Sequence, residues 1–153
     1  MKQGSTLFLK SVIYLLGLAV LGLCVILGGV SISGNAGMFL PVILLMLIAA
    51  IPFFFGLYQG LLLLGYIEKG TAFSFLSVKA IRNIKNSAFT ISVLYAVGMP
   101  YIIYVADKDD APGAVAMGLV FIFAPLVVGV FAAVLEKLLQ NAIDLKKEND
   151  LTV

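Results

Sequence analysis

The chain has 153 residues, of which 62% are hydrophobic and only 12% are charged. Its mean hydropathy of +1.14 excludes an ordinary soluble domain and indicates an integral membrane protein. A net charge of +2 is too small to indicate direct binding of nucleic acid. One cysteine and no histidine exclude an intramolecular disulfide and a cysteine cluster for metal, so we expect neither a metal nor another cofactor.

Four apolar runs are long enough to cross a hydrocarbon core, which takes about 20 helical residues. They are continuously apolar, whereas barrel strands are shorter and alternate with polar residues, so we expect helices. The connections are short, and neighbouring helices must therefore run antiparallel. The sequence predicts an all-α, single-domain four-helix bundle over residues 1–153. The four predicted spans are Leu7–Val30, Met38–Tyr66, Ala88–Val105 and Ala114–Leu139.

The basic residues indicate an orientation. Of the ten Lys and Arg residues, all but Lys108 lie in the N-terminal segment, in the loop at about 67–87, or from Lys137 onward. Basic residues close to helix ends remain in the cytoplasm. We therefore expect both termini and the loop to be cytoplasmic, in a multi-pass protein of the bacterial plasma membrane. Attraction to anionic membrane lipid also accounts for the concentration of basic residues on that side.

Small and polar residues inside the spans indicate where helices pack. Gly56 and Gly60 lie on one helical face, and Gly118 and Gly129 each have an alanine four residues away, so close backbone approach is expected there. These faces fit packing within the bundle or a homo-oligomer. Gln59 is the most deeply placed strongly polar side chain of the second span, and we expect it to hydrogen-bond to another helix.

The spans offer little for chemistry or transport. Ser92 and Tyr95 are candidate reactive hydroxyls only by elimination, and a packing role is the commoner reading, so we expect no enzyme. A small transporter or channel component remains the alternative. It would act as an oligomer whose pore is lined by Gln59, Ser92 and Tyr95.

The loop at about 67–87 contains an amphipathic segment with a basic side. Gly70 is placed to end the preceding helix, and Ser74 to act as the N-cap of the next. From there Val78 and Ile81 fall on one face, with Lys79 and Arg82 opposite. The segment either lies at the lipid interface or runs directly into the third span.

A polar C-terminal tail follows the fourth span, at about 140–153. Its apolar residues keep helical periodicity, which predicts a helix that projects about two turns beyond the bilayer, at about 5.4 Å a turn. Asn149 and Asp150 favour turns, and the helix is expected to stop near them.

At the loop and the tail the chain resembles a family of bacterial four-span membrane proteins, domain of unknown function 2975. The resemblance lies in Gly70-Thr71-Ala72-Phe73-Ser74, in the amphipathic stretch after it, and in the closing residues from Glu148 to Val153. Ala72 stands where the family commonly has proline, which makes this turn less rigid. The closing signature matches fully and is the more specific half.

The resemblance implies a non-enzymatic protein coupled to a small cytoplasmic helix-turn-helix transcription factor, because such a regulator looks like an operon neighbour in this family. The expected function is to regulate or sequester that factor. The expected partner-binding residues are Phe73, Ser74, Lys79, Arg82, Glu148, Asn149, Asp150, Leu151 and Thr152.

Overall fold

The computed structural model describes residues 2–34 and 37–151, and this part of the chain is almost entirely helical. Helix α1 runs over Lys2–Ile32, and a 3₁₀ turn at Gly37–Phe39 leads into α2 over Leu40–Glu68. Helix α3 covers Phe75–Lys108 and α4 covers Pro112–Leu151. All four helices are long and apolar enough to cross a membrane, and the predicted all-α four-helix membrane fold is confirmed.

Three of the helices are longer than the apolar runs that predicted them, and α2 has the same length, displaced by two residues. Helix α3 begins at Phe75, so the amphipathic segment runs directly into the third span, which was one of the two alternatives. Helix α4 has 40 residues and reaches Leu151, one residue past Asp150 and the last residue that the structure describes. It is about 60 Å long at about 1.5 Å per residue, twice the thickness of a hydrocarbon core of about 30 Å. The helix extends about three turns past Leu139, the predicted end of the fourth span, where about two were expected.

Each helix packs on its neighbour in the chain: α1 on α2, α2 on α3, and α3 on α4. Among the described residues, α1 forms no comparable contact with α3 or α4. The core lies mainly along α3, whose buried side chains include Val78, Tyr95 and Val105. The bundle is consequently open on one side, between α1 and α4.

A hydroxyl supports α4 next to its internal proline. Pro125 lacks an N–H group and so leaves a carbonyl of the preceding turn without its usual intrahelical bond. The carbonyl of Ile122, three residues before Pro125, accepts a hydrogen bond of 2.9 Å from the Ser92 hydroxyl of α3. Such bonds stabilise irregular helices in membranes, where water is absent.

Candidate site at the basic end of the bundle

Two sets of ion pairs join the helix ends that carry most of the basic residues. Lys10 of α1 pairs with Glu68 at the end of α2, with 2.9 Å between Nζ and Oε2. Arg82 and Lys85, near the start of α3, both reach Glu136 of α4. We call this part of the molecule the basic end: the first turns of α1, the end of α2, residues 69–74, the first turns of α3, and α4 from Leu135 onward.

The connection between α2 and α3 is a tight turn. Gly70 has φ of +75°, in the left-handed region that favours glycine. The N–H groups of Gly70 and Thr71 donate to the carbonyls of Ile67 and Tyr66, which is the Schellman pattern that closes a helix. The predicted end of the second helix at Gly70 is therefore confirmed, since Lys69 is its C-cap.

Ser74 begins α3 as predicted. Its hydroxyl oxygen accepts from the Ser77 N–H at 3.4 Å, and its own O–H donates to the Thr71 carbonyl at 2.7 Å. The fully buried Ser77 donates to the same carbonyl at 3.3 Å. Thr71 thus fixes both serines, and the turn is held by its own hydrogen bonds. Phe73 takes no part in them, and its side chain is 58% exposed.

Glu136 is the centre of a three-residue cluster between α3 and α4. Its Oε1 atom accepts from Nε of Arg82, and its Oε2 atom accepts from Nζ of Lys85, each at 2.8 Å. The Glu136 side chain is only 14% exposed. One carboxylate balances two cations here, so the cluster retains a positive charge and fixes the spacing of α3 and α4.

An apolar groove of about 390 Å³ lies beside this cluster. Leu63 and Ile67 of α2 form one wall, residues of α4 form the other, and Ile81 of α3 lies between them. The remaining lining residues are Ala72, Phe73, Leu135, Leu138, Leu139 and Ala142. Much of this lining is open, and Leu138, like Phe73, is 58% exposed.

Most of the groove lies on the outer side of the ion-pair cluster. Helix α3 runs toward the bilayer, and Ile81 precedes Lys85 by one turn. Helix α4 runs away from the bilayer, and Leu138 and Leu139 follow Glu136. Charged groups are costly in hydrocarbon, so the cluster belongs at the membrane surface. We therefore expect the groove to face the polar side of that surface rather than the acyl chains.

A comparison of the sequence with protein families gives a match to the model for a protein of unknown function, DUF2975, over residues 30–153. The chain belongs to this family. It is 49% identical over 160 residues to an uncharacterized membrane protein, YoaS, of Bacillus subtilis (strain 168), and the match covers the whole of both chains. No solved structure matches the chain.

The turn motif that carried the DUF2975 resemblance has a structural explanation in all but one position. Gly70 supplies the left-handed conformation, and Ser74 is the N-cap. Ala72 and Phe73 line the groove. The large exposed ring of Phe73 is the member of the motif that the turn itself does not require.

The expected partner-binding residues fall into two groups. Phe73 lies at the groove, Ser74 lies in the turn, Lys79 is exposed on α3, and Arg82 pairs with Glu136. The residues from Glu148 to Leu151 lie at the far end of α4, about two turns beyond Ala142, the outermost lining residue of the groove. Thr152 lies outside the described residues. Their role in binding a partner stays a prediction.

The residues expected at helix contacts are distributed over all three helix pairs. A Cβ atom at Gly56 would lie 3.5 Å from the Cβ atom of Ser87, and one at Gly60 would lie 3.4 Å from Ile13. One at Gly118 would lie 2.9 Å from the sulfur of Met99, and one at Gly129 would lie within about 3 Å of the Phe89 ring. Gln59 is buried, and its hydrogen bond to another helix stays a prediction.

Sequence reasoning did not find the residues that complete the site. The sequence shows Glu136 only as a charged residue near the end of a span, because its partners lie 51 and 54 residues away. Leu138, Leu139 and Ala142 belong to a helical periodicity that does not by itself indicate a groove. The available signal was that this apolar stripe continues past the last charged pair of the span, where lipid no longer covers it.

Proposed function

We propose that this protein is a non-enzymatic membrane regulator that binds a small helix-turn-helix transcription factor at its basic end. The observation that carries the proposal is the apolar groove on the outer side of the Glu136 cluster. Exposed apolar surface on the polar side of a membrane typically marks a binding site for a protein partner. Binding there would hold the factor away from DNA, and a change in the membrane would shift that competition.

The orientation of the molecule supports a cytoplasmic partner. Lys10, Lys69, Lys79 and Lys85 all belong to the basic end, whereas Lys108 lies at the opposite end among three aspartates. By the rule that basic residues remain inside, we expect the groove on the cytoplasmic side. Helix α4 extends the same surface by several turns, and its last residues are polar and exposed.

The groove gives a sharp test because the chain offers a matched pair of phenylalanines. Phe73 lines the groove, whereas Phe75 is 66% exposed in the first turn of α3 and does not line it. Crosslinking and pull-down from native membranes would compare intact protein with Phe73→Ala and Phe75→Ala. We expect Phe73→Ala to lower recovery of a small helix-turn-helix protein at least tenfold, as loss of a central aromatic contact does. Phe75→Ala should leave recovery unchanged.

A chain truncated after Asp144 separates the groove from the tail. Loss of the factor with this truncation alone would place its contact on residues 145–153. If the intact chain recovers no such factor, or if both phenylalanine variants recover it equally, the groove is not its binding site.

The transport alternative has less support. Its three proposed pore residues would have to share one polar path, but Ser92 donates its hydroxyl to the α4 backbone and Tyr95 stacks on Phe121 at 5.2 Å. A flux into proteoliposomes that depends on Gln59 would favour transport over regulation.

A further inference from the structure

A second cavity, of about 370 Å³, lies inside the bundle and is separate from the groove at the basic end. All four helices contribute to its lining. Its width comes from alanines at Ala49, Ala50, Ala88 and Ala124, where larger side chains would fill the space. The volume lies within the range of about 300–1,000 Å³ that is typical of small-molecule sites.

The cavity is reached from the side. Cys24 of α1 and Phe121 of α4 both line it, yet these two helices do not pack closely on each other in the described part of the chain. The opening between them faces the bilayer. A molecule that enters this cavity therefore comes from the lipid phase.

The cavity lies near the middle of the bilayer. Tyr95, in its wall, is ten residues from Lys85 and thirteen from Lys108, which are distances of about 15 and 20 Å along a helix. Its other lining residues are apolar except for the thiol of Cys24. A charged molecule would be strongly disfavoured at this depth, so the occupant is uncharged.

One polar group in the wall, the Tyr95 hydroxyl, is open to the cavity and takes no part in the hydrogen bonds of the described fold. Tyr95 is only 8% exposed and its ring stacks on Phe121. Ser92, one turn away, is bonded to the Ile122 carbonyl, but the Tyr95 hydroxyl has no hydrogen-bond partner among the residues that the structure describes. A hydroxyl in apolar surroundings is unfavourable without a hydrogen-bond acceptor. Acyl chains have no acceptor to offer at this depth.

We propose that this cavity binds an uncharged, lipid-soluble small molecule whose oxygen accepts a hydrogen bond from Tyr95. The apolar lining accommodates the body of the molecule, and the hydroxyl fixes its orientation. The site does not depend on the proposed regulatory function, since it lies on different residues at a different depth.

Benzophenone is a suitable probe because it is uncharged, lipid-soluble and photoreactive and carries one carbonyl oxygen. The full chain in lipid nanodiscs would be irradiated with increasing benzophenone, and the adducts located by mass spectrometry. We expect saturable labelling at the cavity lining. Diphenylmethane, which lacks the oxygen, should bind at least fivefold more weakly than benzophenone, the effect of about one hydrogen bond. Its affinity is measured by the concentration that halves benzophenone labelling.

Three variants test the site itself. Tyr95→Phe removes the hydrogen-bond donor and should raise the benzophenone concentration for half-maximal labelling roughly five- to tenfold. Ala124→Phe fills the cavity and should abolish saturable labelling. Ala96→Phe is the matched control, because Ala96 is exposed at the same depth of α3 and does not line the cavity, and its labelling should stay at the level of the unchanged chain.

Several results would overturn the proposal. One is labelling that does not saturate and spreads over the lipid-facing residues of α1, which would mean that only bulk lipid and dissolved probe fill the cavity. Another is that diphenylmethane binds as tightly as benzophenone and that Tyr95→Phe leaves the concentration for half-maximal labelling unchanged. If Ala124→Phe unfolds, Tyr95→Phe decides the outcome, because it leaves the ring stacking and the packing in place.

Discussion

At the scale of single residues, the two connections at opposite ends of the molecule use the same backbone geometry. Gly70 follows α2 with φ of +75°, and Asp110 follows α3 with φ of +52°. In each case the next N–H group reaches back to a carbonyl in the last turn, from Thr71 to Tyr66 and from Ala111 to Ala106. Glycine adopts this conformation without strain, whereas a residue with a Cβ atom does not.

Gly70→Ala is therefore expected to destabilise the protein by about 1 kcal/mol through backbone strain alone. A Cβ atom at this position would meet nothing within 4 Å, so no clash contributes. The measurement is the free energy of unfolding in detergent by denaturant titration. Gly65→Ala is the control, because Gly65 is helical and equally open, and it should be neutral or stabilising by up to about 1 kcal/mol. Equal effects of the two variants would contradict the role given to Gly70.

Glu136 makes the second prediction at this scale. Glu136→Gln leaves Arg82 and Lys85 close together without their shared carboxylate, and we expect a loss of about 1–3 kcal/mol in unfolding free energy. High salt should reduce the loss, because it screens the repulsion between the two cations. Glu68→Gln breaks the more exposed pair with Lys10 and should cost less than Glu136→Gln. A larger effect at Glu68 than at Glu136 would contradict this account.

At the scale of the helices, the sequence predicted that four helices exist better than it predicted where each one begins and ends. Runs of apolar residues were sufficient for four spans, and the cap at Ser74 followed from its side-chain chemistry. Helix α4 extends about three turns past Leu139, the predicted end of its span, rather than two, because an established helix continues at little cost. The groove, the cavity and the Glu136 cluster depend on residues far apart in the chain, and helical periodicity carries no information on which helices meet.

The contact between α3 and α4 gives a prediction at this scale. A Cβ atom at Gly129 would lie 2.8 Å from Cε1 of Phe89, so the two helices or the ring must move apart. We expect Gly129→Ala to destabilise the protein by about 1–3 kcal/mol. Gly22→Ala in α1 is the control, because nothing lies within 4 Å of its added methyl group. Unfolding titrations that show the same stability for both variants would mean that close packing at Gly129 is unimportant.

At the scale of the whole molecule, the charge distribution and the open side of the bundle determine what each region can contact. The basic end carries the groove, the opposite end carries Lys108 close to the ring of Tyr104 at 5.7 Å, and the cavity opens toward lipid between α1 and α4. The orientation that we expect in the membrane would bring the groove to the cytoplasmic side, where the proposed partner lies.

That orientation can be tested by labelling single cysteines in intact cells. In a Cys24→Ser background, Asp107→Cys should react with a membrane-impermeant maleimide, since it lies at the end opposite to the basic one. Lys147→Cys should react only after the membrane is permeabilised. The reverse pattern would place the groove outside the cell and would exclude a cytoplasmic transcription factor as its partner.

The most direct test of the central claim is photocrosslinking in living cells with a photoreactive phenylalanine analogue at position 73 and, separately, at position 75. Phe73 lines the groove and Phe75 does not, although both are exposed within the same turn of chain. We predict a covalent adduct with a small helix-turn-helix protein from position 73 and none from position 75. Adducts with lipid alone from both positions would contradict the claim, because the groove would then face the bilayer and not a protein partner.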